Sequence, residues 1–104
     1  MSVDQKILDE IVQRVLTVVS PDKIILYGSA ATGTMTRDSD IDLLIVGPPN
    51  RHNTIVDIGR AVGNVSFGVD VKLIASKSFE ETKNVIGGIA YPAHKYGRVL
   101  YATA

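Results

Sequence analysis

Cysteine and tryptophan are absent from the chain. Without thiols there is neither a disulfide framework nor a thiolate zinc site, and nothing ties the chain to an oxidising compartment. A surplus of either charge is missing as well: eleven basic residues stand against eleven acidic ones. That argues against broad nucleic-acid binding or adhesion to a membrane surface, both of which need excess positive charge. No apolar run approaches membrane-spanning length, and residues 1–10 lack the basic start and apolar core of a signal peptide. A cytoplasmic location is therefore expected. Repeats, low-complexity tracts and linkers are also missing, so residues 1–104 read as a single domain. What is present is ordinary for a folded domain: 45% hydrophobic residues are enough for a core, and 21% charged is too few for a disordered chain.

Apolar residues at Ile7, Leu8, Ile11, Val12, Val15 and Leu16 form a helical stripe over 4–19. Ser2 is a candidate cap, and Ser20-Pro21-Asp22 ends the helix because the residue before proline avoids the helical basin. Lys23 to Tyr27 reads as a short buried strand and Asp40 to Val46 as a second, stopped by Gly47-Pro48-Pro49-Asn50. A helix starting at Asn53 or Thr54 runs to a Gly63-Asn64 stop. Val65, Phe67, Val69, Val71 and Leu73 alternate with polar or small residues, the period of a strand with one covered face. Ser78-Phe79-Glu80-Glu81 has the form of a capping box, Gly87-Gly88 interrupts the helix it opens, Pro92 suits a further helical turn, and Arg98 to Tyr101 reads as an edge strand. The expected architecture is α/β: a small mixed sheet with helices packed on one face.

Two places carry chemistry. Tyr27-Gly28-Ser29 lies where a strand runs into small, helix-compatible residues; Gly28 lets an anion approach the backbone, and free amides at a helix start would face it. The bland reading is a simple turn. A P-loop is excluded, since Thr34 and Met35 occupy that motif's Lys and Ser/Thr positions. The second place is Asp38-Ser39-Asp40-Ile41-Asp42. On a strand Asp40 and Asp42 share one face, roughly 6.6 Å apart along the chain, while Ile41, Leu43 and Ile45 enter the other. A solvated strand end and a hard-cation site are both compatible with this pattern; a calcium EF-hand loop is not, because Leu43 stands where glycine is required. Asp70 is the lone acid on the polar face of the alternating strand, with Gly68 leaving space beside it. Alone it reads as an exposed charge paired with Lys72; with Asp40 and Asp42 it completes an all-oxygen set that selects magnesium or manganese over zinc.

Gly28-Ser29, ten intervening residues (Ala30 to Ser39), Asp40-Ile41-Asp42 and one later strand Asp together resemble the polymerase-β-like nucleotidyltransferase superfamily, and within it the minimal nucleotidyltransferases. The resemblance implies the nucleotidyltransferase fold. It also implies that Gly28 and Ser29 grip the β- and γ-phosphates of ATP, and that Asp40, Asp42 and Asp70 hold two Mg2+ ions (Mn2+ as an alternative). In one respect the chain departs from the pattern: many minimal members carry arginines just after Gly-Ser, where this chain has Ala30-Ala31-Thr32-Gly33. Arg37, at the far end of the loop, is the candidate substitute. The implied reaction is transfer of AMP from ATP to a hydroxyl. Because no acceptor-binding domain accompanies the core, a second chain is expected to complete the site. The resemblance points to a HEPN-domain toxin, disabled through adenylylation of a tyrosine in an antitoxin-type hetero-oligomer. Two alternatives stay open: a catalytically silent module that neutralises its partner by covering it, and a small-molecule nucleotidyltransferase acting on a substrate such as an antibiotic.

Overall fold

The computed structural model describes residues 3–48, 51–63 and 68–103. Its elements run α1 (Gln5–Leu16), β1 (Lys23–Tyr27), α2 (Ser29–Thr32), β2 (Ile41–Val46), α3 (His52–Val62), β3 (Val69–Ile74), α4 (Ser76–Thr82), α5 (Ala90–Tyr96) and β4 (Arg98–Ala102). The four strands form one mixed sheet in the order β3-β2-β1-β4. β1 is antiparallel to both β2 and β4, whereas β2 and β3 run parallel, joined by the α3 crossover.

Side-chain alternation sorts the sheet into two faces. Ile24, Leu26, Leu43, Ile45 and Leu73 point to the first, where they bury Leu8, Ile11, Val12 and Val15 of α1 and Ile58 and Val62 of α3. Arg14 joins the two helices by donating to the Val62 carbonyl at 2.7 Å, satisfying an acceptor at the end of α3. Ile25, Leu44 and Val46 point to the second face and pack under Phe79 of α4 and Ala90 and Ala93 of α5. The expectation that helices occupy one face is thus corrected. The chain leaves β3 at one edge and must reach β4 beyond β1 at the other; α1 and α3 already cover the first face, so α4 and α5 lie across the second.

Local signals mostly act where the sequence places them. Asp4 caps α1, its side chain accepting from the Lys6 amide at 2.9 Å; Ser2 lies outside the described residues. The helix after β2 starts at His52, slightly before Asn53, and α4 starts at Ser76, ahead of the capping-box serine. Residues 64–67, the first part of the alternating pattern, lie outside the described residues, and β3 is described from Val69.

Candidate active site

The end of the second face that α4 and α5 leave open carries the acidic residues. β1 ends at Tyr27, which is paired across the antiparallel ladder with Asp42. On the other side of Asp42, in the parallel ladder, stands Asp70. Paired residues on neighbouring strands share a face, so Tyr27, Asp42 and Asp70 form one row across β1, β2 and β3. Asp40, two residues before Asp42, extends the set at the exposed head of β2.

Two glycines make room for this row. Gly28 has φ 69° and ψ −153°, a conformation left almost entirely to glycine. A Cβ placed on it would collide with Oδ2 of Asp42. Gly68 stands in the same relation to Asp40, whose Oδ1 lies where a Cβ would go. The Gly28 turn and the Asp42 carboxylate are therefore in contact, although the two residues lie far apart in sequence. Beyond Gly28, the Ser29 and Ala30 amides open α2. The Gly28 carbonyl accepts from Ala31 and Thr32 at 3.1 and 3.2 Å, so the two preceding amides lie ahead of the helix's first internal bonds.

Burial and charge crowding act on the same residues. The Asp42 carboxyl is raised above its ordinary value, first by burial and then by the charges of Asp70 and Asp40, with Lys72 opposing. The Tyr27 phenol is pushed up to about 12, by burial and then by Asp42 and Asp70. Asp70 is half exposed and pairs with Lys72, Nζ to Oδ2 at 3.2 Å, the pairing expected for an isolated strand acid. Arg37 lies exposed in the loop between α2 and β2, which closes on itself through Ser39, whose hydroxyl accepts from the Thr36 amide at 3.0 Å. Among the described residues Arg37 makes no side-chain hydrogen bond or ion pair. The structure thus gathers Gly28, Asp40, Asp42 and Asp70, places Ser29 at the adjoining helix start, and leaves Arg37 exposed, paired with none of them among the described residues. Tyr27 and Gly68 are further members of the site; sequence reading has Gly68 leaving space beside Asp70, where the structure sets it against Asp40, and assigns Tyr27 no part.

The donor chemistry fits a hard divalent cation: carboxylate oxygens, a raised Asp42 carboxyl whose negative neighbours a cation would neutralise, and space kept by two glycines. As the side chains stand, no group of three Asp, Glu, His or Cys among the described residues is closed up as a metal site. The Lys72 pairing of Asp70 supplies a physical reason, since uncompensated carboxylates repel one another and Asp70 has a cation at hand.

Residues 5–92 match the model of the nucleotidyltransferase domain family. A Methanocaldococcus jannaschii protein named "Putative protein adenylyltransferase MJ0604" is 34% identical over 79 residues, covering 76% of this chain and 77% of its own length. Two solved structures share the fold. One is a toxin-antitoxin with AMP-PNP, with TM-score 0.65 and 20% identity over 91% of this chain and 73% of that one. The other is a mutant of the toxin-antitoxin MntA-HpeT, with TM-score 0.60 and 18% identity over the same shares of each chain, 91% and 73%. A mixed sheet that brings a strand-end Gly-Ser against paired aspartates, under a family match spanning most of the chain, places this protein in the nucleotidyltransferase domain family.

Proposed function

We propose that the chain transfers AMP from ATP to a hydroxyl of a partner protein, a tyrosine of a HEPN-domain toxin in a cytoplasmic antitoxin complex, using Mg2+. The contact between Gly28 and the Asp42 carboxylate carries this reading, because it sets a helix-opening turn, the kind of backbone that suits a phosphate, against the acidic row. The M. jannaschii relative's name supports protein as acceptor, and the toxin-antitoxin neighbours, one with AMP-PNP, support a nucleotide and a protein partner. Residues 1–104 would act as one catalytic domain.

In this scheme the Gly28 backbone and the Ser29 hydroxyl and amide hold the β- and γ-phosphates. Asp40, Asp42 and Asp70 would hold magnesium, which when bound neutralises phosphate charge and lowers the acceptor hydroxyl's pKa. The acceptor oxygen attacks the α-phosphorus, one P–O bond forms, the bond to the bridging oxygen breaks, and pyrophosphate leaves. Asp70, half exposed on the edge strand β3, would take the acceptor's proton. Arg37 is the first cation in sequence after Ser29 and would replace the arginines missing there.

Incubation of the chain with ATP labelled in the α-phosphate, Mg2+ and the HEPN-domain partner is expected to leave label on a partner tyrosine. Asp42→Asn should lower transfer by orders of magnitude. Unlabelled partner, with label appearing instead on a small alcohol or an antibiotic, would overturn the protein-acceptor reading. One observation favours a second reading: Ala30 and Ala31 leave the nucleotide turn without its usual cations. If wild type transfers nothing yet still silences the partner, the chain is a binding module.

A further inference from the structure

Among the described residues Lys72 is the one cation paired with a member of the acidic row. It lies two residues beyond Asp70 on the same strand and face and contacts it at 3.2 Å. Its ammonium therefore stands where positive charge is needed while no other cation is present. The same side chain lines a cleft of about 380 Å³ at the β3 edge, between Ile55 of α3 and Ile89 before α5. That cleft gives its aliphatic stem apolar surface to rest on when the ammonium is not on Asp70.

We infer that Lys72 is an exchangeable counter-cation: it holds Asp70 in the metal-free protein and must release it before a divalent cation can use that carboxylate. This rests on the proposal that Asp40, Asp42 and Asp70 hold the metal. The two partners of Asp70 compete, because the Oδ2 that Lys72 occupies is a poorer ligand and a dication repels the ammonium. Lys72 is thus a positioning residue with opposite effects in the two states, stabilising the empty site and weakening metal binding. A purely structural edge lysine, present to deter strand pairing, would have only the first effect.

The test uses the full chain without nucleotide, with Mn2+ alone as the probe, titrated by calorimetry at low salt alongside metal-free thermal melts. Lys72→Met keeps the stem and removes the charge; Lys72→Gln is the fallback if it folds poorly, and Lys72→Arg is the conservative control. Lys72→Met is expected to melt lower than wild type when metal-free, yet to bind Mn2+ about three- to tenfold more tightly, with Lys72→Arg close to wild type. Equal or weaker Mn2+ binding by Lys72→Met, where Asp42→Asn still weakens it, would overturn this inference alone. If Asp42→Asn binds Mn2+ as wild type does, the metal assignment itself fails and the role of Lys72 falls with it.

Discussion

Asp42 is the residue on which the site's electrostatics converge, and its raised carboxyl has a stability consequence of definite sign. The folded chain holds that proton more tightly than the unfolded chain does. The group therefore favours folding below the ordinary aspartate value of 3.8 and opposes it progressively as pH rises through the higher folded value. Urea melts across the acidic range should show Asp42→Asn losing this slope, with a metal-free melting temperature at neutral pH no lower than wild type. Mg2+ should stabilise wild type by mass action and the variant less. Tyr27 gives a second handle. Its phenol, at about 12, stays protonated in the folded state where an unfolded tyrosine at 10.0 has ionised, so its stabilising effect is lost as pH rises from 10 towards 12. The ultraviolet titration difference between wild type and Tyr27→Phe should isolate one late-ionising tyrosine, and the variant should resist alkaline unfolding better. A difference spectrum centred near 10 would contradict the burial of Tyr27 against the acidic row.

Among the elements, α4 is attached to the second face through Phe79, its one buried residue. Phe79→Ala should cost about 3 kcal/mol, measured by denaturant melts, and leave the α1–α3 face intact. Gly28→Ala combines backbone strain of about 1–3 kcal/mol with intrusion on Asp42; it should weaken ATP binding more than a core variant of equal stability loss such as Ile45→Val. Retained ATP affinity would remove the turn from the site. Sequence reading recovers α1 and α3 from their helical apolar stripes, and β1, β2 and β4 from short apolar runs bounded by turn residues, because each gathers enough apolar residues to be read. It misplaces α4 and α5 for the same reason: with Phe79 and two alanines as their buried contribution, they carry too little pattern to say which face they cover. In the site, Asp40 and Asp42 are legible from their two-residue spacing, and Gly28 from its place at a strand end. The pairing of Tyr27 with Asp42 is not, because the segment from Gly28 to Asp40 is no tight hairpin turn and leaves the register open. Arg37 shows the opposite limit, since composition marks it as an available cation but says nothing of where its loop points.

In the molecule as a whole, the sheet supports its acidic residues unevenly. β2 is hydrogen-bonded on both sides, by β1 and β3, whereas β3 is an edge. The Gly68 and Ile74 carbonyls accept from the Ile41 and Gly47 amides, so Val69, Val71 and Leu73 turn their own backbone groups outward. Among the described residues no strand meets them. Hydrogen exchange should find the β2 amides among the slowest in the protein and those of Val69, Val71 and Leu73 fast; uniform protection across β2 and β3 would contradict the edge assignment. The consequence is one of sequence in time. On the proposed function, a nucleotide settling on Gly28 and Asp42 would meet a surface already set, while whatever approaches Asp70 would meet a strand held from one side that can still adjust. Turnover should accordingly be ordered, nucleotide first, so that an unreactive acceptor mimic inhibits uncompetitively against ATP; noncompetitive inhibition would mean that neither half of the site waits for the other.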